Sequence, residues 1–66
     1  MKILVNGQSK ELDDDVTLVG LLKAIEVSNE GIAIAVNDRV IPRSAWSGVD
    51  IQDGDRVEVI HAVQGG

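Results

Sequence analysis

The sequence predicts an α+β fold in which one mixed sheet of four to five strands carries a single helix packed across it. Three observations support this. Short segments of alternating or β-branched residues recur along the chain between turn signals, as half-buried strands do. Only one segment, Leu18-Leu21-Leu22-Ile25, repeats its apolar residues at i, i+3, i+4 and i+7, the stripe of an amphipathic helix. And 66 residues have room for one core, since so short a chain buries only about 60% of the surface its unfolded form exposes.

Taken in order, Lys2-Ile3-Leu4-Val5-Asn6 is the first strand, and Asn6-Gly7 is a strong hairpin turn because both residues tolerate positive φ. The second strand runs roughly from Gln8 to Leu12. Asp13-Asp14-Asp15 interrupts it, and Thr17 suits the helix N-cap, where a hydroxyl accepts from an orphan first-turn amide. A helix of about ten residues is expected from there. Gly20 inside it costs roughly 1 kcal/mol relative to Ala, so either the sheet approaches closely or the position is tolerated. Ser28-Asn29-Glu30-Gly31 breaks the pattern, and Ile32-Ala33-Ile34-Ala35-Val36 reads as a central strand. Asn37-Asp38 turns the chain into a brief strand at Val40-Ile41, ended by Pro42, which has no N–H to donate. A loop or single helical turn holding Trp46 follows. Asp53-Gly54 marks another turn, and Arg56-Val57-Glu58-Val59-Ile60 alternates as the last strand. Residues 1–61 are therefore expected to form the domain and 62–66 a flexible tail.

Apolar residues make up 44% of the chain, enough for an ordinary core. There is no cysteine, hence no thiol nucleophile and no disulfide staple, and stability near the low end of about 5–15 kcal/mol is expected from aliphatic packing alone. Met1-Lys2 runs straight into an alternating segment, so no secretion signal is expected, and no apolar run approaches the ~20 residues of a membrane span. A cytoplasmic protein fits these features. Eleven acidic against six basic side chains give a net charge of -5, which argues against nucleic-acid and anionic-membrane partners. A protein partner should offer a basic or neutral face.

Three internal features could carry chemistry. Asp13-Asp14-Asp15 has oxygens for a divalent cation, but acidic residues before a helix commonly just complement its dipole. His61 could be a general base, although no Ser, Asp or Glu is spaced to work with it. Trp46, the one aromatic residue, is more simply a lid on a small core than a binding anchor. Neither a phosphate loop nor a Ser/His/Asp constellation is present.

The end of the chain remains. Ala62-Val63-Gln64-Gly65-Gly66, fully extended, could project up to roughly 16–18 Å. Two glycines remove side-chain bulk beside the terminal carbonyl, so Gly65 and Gly66 could thread a narrow channel. A terminal carboxylate is ordinarily ionised at neutral pH and is a poor electrophile. It must be activated, for instance as a phosphoanhydride formed with ATP, before sulfur or nitrogen can attack. Glycine ends are common, and the pair gains weight from following a final strand.

These residues carry a resemblance. Asn6-Gly7, the stretch Val36 to Ser44 with Trp46, the stretch Asp53 to Val59, and the Gly65-Gly66 ending together resemble the thiamin-pathway sulfur carriers, the ThiS family, over the whole chain. Val40-Ile41-Pro42-Arg43-Ser44 and the terminal pair are the most specific parts. The resemblance implies the ubiquitin-like β-grasp fold. It also implies that Gly66 is adenylated by an enzyme related to ubiquitin-activating enzymes, converted to a thiocarboxylate with sulfur originating from cysteine, and drawn on by thiazole synthase. On this reading the chain is a substrate and not an enzyme. It binds no cofactor itself, and ATP and magnesium belong to the activating enzyme.

Strand parity suggests the docking surface. With Ile3, Val5, Ile34, Val36, Val57 and Val59 facing the helix, Leu4, Ala33, Ala35, Ile60 and Ala62 lie on the opposite face, rimmed by Arg56 and Glu58. Such a patch suits a protein that offers its tail to several partners, or is a scatter of small exposed apolar residues. Alternative roles use the same fold: a sulfur carrier for molybdopterin synthesis or tRNA thiolation, told apart by the sulfur acceptor, or a plain ubiquitin-like interaction module, told apart by an unmodified mass. A modifier conjugated to lysines would instead give isopeptide adducts.

Overall fold

The computed structural model describes residues 1–27 and 30–61. The expected break at Ser28-Asn29 and the tail 62–66 lie outside the described residues. Strands β1 (Lys2–Val5) and β2 (Gln8–Glu11) form the opening hairpin, in register from Lys2 opposite Glu11 to Val5 opposite Gln8. Its turn has φ of 50° at Asn6 and 82° at Gly7, the doubly positive pair that makes a tight hairpin follow the twist of its strands. Strands β3 (Ile32–Val36), β4 (Arg39–Ile41) and β5 (Arg56–His61) complete a five-stranded sheet in the order β2-β1-β5-β3-β4. β5 runs parallel to β1 and antiparallel to β3, so the sheet is mixed, as expected.

Helix α1 covers Leu18–Ala24. Thr17 is its N-cap, and Thr17 Oγ1 accepts from Gly20 N at 3.0 Å. That cap also answers the question of Gly20: a Cβ there would sit 3.3 Å from Thr17 Oγ1, so the close neighbour is the cap and not the sheet. The helix is seven residues long, shorter than expected, because Glu26 adopts φ of 59°. Val27 N donates to Leu22 O and Glu26 N to Lys23 O, each at 3.1 Å, the paired bonds of a Schellman ending. Left-handed backbone costs a residue bearing a Cβ roughly 1–2 kcal/mol. Glu26→Gly should therefore raise stability by about 0.5–1 kcal/mol after its own unfolded-state entropy is offset. A rise of a few degrees in melting temperature checks this, and a fall would show that the Glu26 side chain contributes more than its backbone costs.

The core lies between the sheet and the helix. Ile3, Val5, Ile34, Val57 and Val59 from the strands meet Leu18, Leu21 and Leu22 from the helix, with Trp46 and Ile51 closing one side. Each fully buried aliphatic side chain contributes roughly 1.5–3 kcal/mol. Val36, expected inside, is half-buried and packs against this cluster. Trp46 stands on a 3-10 turn, Arg43–Gly48. Its ring is buried, its Nε1 donates to Ile41 O at 2.9 Å, and the Arg43 guanidinium lies 5.5 Å from its centroid, so it is the core lid. The chain after this turn returns to the helix start, where Leu18 N donates to Val49 O and Ile51 N to Val16 O. Among the described residues no helix is long and apolar enough to cross a membrane.

Candidate functional site

The strand that leads into the chain end is the middle one of the sheet. β5 alternates, with Val57 and Val59 buried and Arg56, Glu58 and Ile60 exposed. Period-two geometry therefore sends Val57 and Val59 to the helix side and Arg56, Glu58 and Ile60 to the outer face. Gly66, Gly65, Gln64 and Ala62, which the sequence singles out, lie outside the described residues. The last described residue, His61, is exposed and stands opposite Ile32 of β3.

Register assembles the outer face. Leu4 pairs with Arg56, Ala35 with Glu58, and Ala33 with Ile60, so six of the seven expected surface residues share one side of the sheet, and the seventh, Ala62, lies outside the described residues. Across β4, Ala35 also pairs with Val40, which adds a residue that the sequence reading does not assign to this face. Leu4, Val40 and Ile60 are 39%, 68% and 52% exposed, the large hydrophobics open to solvent among the described residues, and all three stand here. Ala33 is exposed as well. Ala35 differs: it is only 7% exposed, because a methyl group between the longer Glu58 and Val40 side chains forms the floor of the face instead of projecting from it. An apolar centre with charged residues around it has the composition of a docking patch.

The charged rim is organised. Arg56 Nη2 donates to Asp38 Oδ2 at 2.9 Å. The Arg56 amide donates to Asn37 Oδ1, and Asn37 Nδ2 donates to Asp55 Oδ1, each at 2.9 Å. The β3–β4 turn and the start of β5 are thus tied together, and the guanidinium is held at the edge of the patch. A shallow open depression of about 320 Å³ lies between Leu4, Asn6, Arg56 and Glu58. Sequence reading missed Asp38 and Val40. A strand begun at Arg39 would have placed Val40 by parity, whereas the Asp38 pair spans 18 positions and leaves no local signal.

The other candidates fall elsewhere. Asp13, Asp14 and Asp15 are exposed, and none lies in the first turn of α1. Asp14 Oδ1 is instead 3.6 Å from the amino group of Met1. No group of three metal-ligating side chains forms among the described residues.

Residues 3–66 match the ThiS family model. The chain is 32% identical over 66 residues to the sulfur carrier protein ThiS of Escherichia coli (strain K12), covering the whole of both chains. It is also 35% identical to a thiazole synthase of Magnetococcus marinus and 29% identical to one of Paramagnetospirillum magneticum. In each the match takes in all of this chain but spans only 20% of the synthase. Among solved structures, the crystal structure of the thiamine biosynthesis protein ThiS from Geobacter metallireducens superposes with a TM-score of 0.88 at 30% identity, covering both chains fully. The sheet and its crossing helix are thus the ubiquitin-like β-grasp that the sequence resemblance implies.

Proposed function

The chain belongs to the ThiS family, and from that premise we propose that it carries sulfur for thiamin biosynthesis on the carboxylate of Gly66. A carboxylate oxygen of Gly66 attacks the α-phosphorus of ATP in the site of a ubiquitin-activating-type adenylyltransferase, and pyrophosphate leaves. The resulting acyl adenylate is attacked by a persulfide whose outer sulfur originates from cysteine, AMP departs, and a thiol then cleaves the acyl disulfide so formed, leaving the thiocarboxylate on Gly66 and the donor sulfur in a disulfide with that thiol. Thiazole synthase then takes the sulfur. ATP and magnesium are held by the activating enzyme, and the chain takes part as substrate and not as catalyst. The need for ATP suits the cytoplasm.

The observation that carries this reading is the full-length match to a sulfur carrier, with Gly65-Gly66 at the end of the sequence. The segments of two thiazole synthases similar to the whole of this chain support thiazole synthase as a partner. The outer face supports it too, since a patch on the strand that leads to the tail can dock while the tail reaches onward. The test is intact-mass measurement after incubation with the activating enzyme, ATP, magnesium and a sulfur source. Replacement of one oxygen by one sulfur is expected, and an unchanged mass overturns the proposal. Transfer of that sulfur into thiazole phosphate by thiazole synthase separates this role from molybdopterin or tRNA-thiolation carriers, which load in the same way.

A further inference from the structure

β1 and β5 do not end together. In their parallel ladder Leu4 N donates to Asp55 O at 3.0 Å and Asn6 N to Val57 O at 2.9 Å. The next rung needs an acceptor for the Val59 amide, but the chain has already turned at Asn6, whose φ is 50°. A side chain supplies it. Asn6 Oδ1 accepts from Val59 N at 2.8 Å, across 53 positions of sequence. By the same parity the next β5 amide on this side is that of His61, and β1 ends at Val5. Asn6 therefore provides the last rung from the β1 side before the chain leaves for Gly66, seven positions beyond Val59.

We propose that Asn6 is a positioning residue for the sulfur-carrying tail: its side-chain amide holds the end of β5 and so sets the point and direction from which the tail departs. The inference rests on the carrier reading above. Without this bond residues 59–61 are held from the β3 side alone, and docking must order them at the cost of backbone entropy. That cost falls on productive binding. Acyl chemistry at Gly66, once it is seated, is untouched. Asn suits the position because it accepts left-handed backbone more readily than most residues and still reaches a neighbouring amide.

Two substitutions separate the bond from the turn. Asn6→Gly keeps the positive φ and deletes the acceptor, whereas Asn6→Asp keeps an acceptor oxygen. In Asn6→Gly, hydrogen exchange at the Val59 amide should quicken, and KM for the carrier in the adenylation reaction should rise roughly fivefold, the scale of one such hydrogen bond, with kcat unchanged. Asn6→Asp should stay close to the unsubstituted protein in both measurements. Replacing the Val59 amide by an ester removes the donor and leaves the turn intact, so it must reproduce the KM rise and decides the matter if Asn6→Gly does not fold. Faster exchange with an unchanged KM would reduce Asn6 to a structural role and overturn the proposal. Failure of the unsubstituted protein to be adenylated at all would overturn the carrier reading, and this inference with it.

Discussion

A carrier lacking Gly66 is expected to bind its activating enzyme almost normally and to gain no sulfur. The proposed docking face lies on the sheet and is unchanged by the deletion, whereas the carboxylate proposed to react moves back by one residue, about 3.3–3.6 Å of extended chain. Reacting atoms must approach to roughly 3–3.5 Å, and misplacement by even about 1 Å can cost on the order of a hundredfold. Adenylation should therefore fall by at least about a hundredfold, with Kd nearly constant. Pyrophosphate release measured beside a binding isotherm checks both halves. Undiminished adenylation of the shortened chain would locate the chemistry somewhere other than the terminal glycine.

The combined change Leu4→Asp and Arg56→Glu should weaken the complex with the activating enzyme by roughly thirtyfold or more, the loss of one strong interface anchor. A carboxylate at position 4 would be desolvated against the partner's apolar surface, and a second one at 56 would reverse the charge at the patch edge. The domain itself should tolerate both. Leu4 is already 39% exposed, and the Arg56–Asp38 pair is exposed on both sides, where such pairs contribute at most about 1 kcal/mol. Calorimetric binding with Trp46 emission as a check on folding makes the measurement, and Lys23→Glu, an exposed position on α1, should leave Kd unaltered. Undisturbed binding by the double variant would remove the outer face from the docking role.

Much of this architecture was legible because period and turn chemistry are local properties. Alternation at Ile3-Val5 and Val57-Val59 assigned the two faces of the sheet, Asn6-Gly7 announced the hairpin, and Thr17 announced the helix start. What escaped the sequence depends on distant neighbours or on a strained choice. Glu26 ends the helix in a conformation that composition does not favour. Ala35 is sunk by the larger residues beside it. Val40 joins the outer face only once Arg39 is known to begin its strand. The Asn6–Val59 and Arg56–Asp38 contacts join residues 53 and 18 positions apart. For the site, parity identified the face, while the terminal glycines were singled out by composition and family resemblance, since no packing pattern marks a chain end.

The strand order has a consequence for how the protein is made. β1 with β2 and β3 with β4 are two local hairpins, and the strand that joins them, β5, follows all four in the chain and so is synthesised after them. Until residues 56–61 leave the ribosome the halves have no common seam, and isolated two-stranded hairpins are marginal in water. A translation product interrupted before β5 thus lacks a closed sheet and stays open to proteases. The residue proposed to carry sulfur follows that closing strand by only five positions, so on the proposed carrier reading a chain long enough to be loaded is also one whose sheet can close.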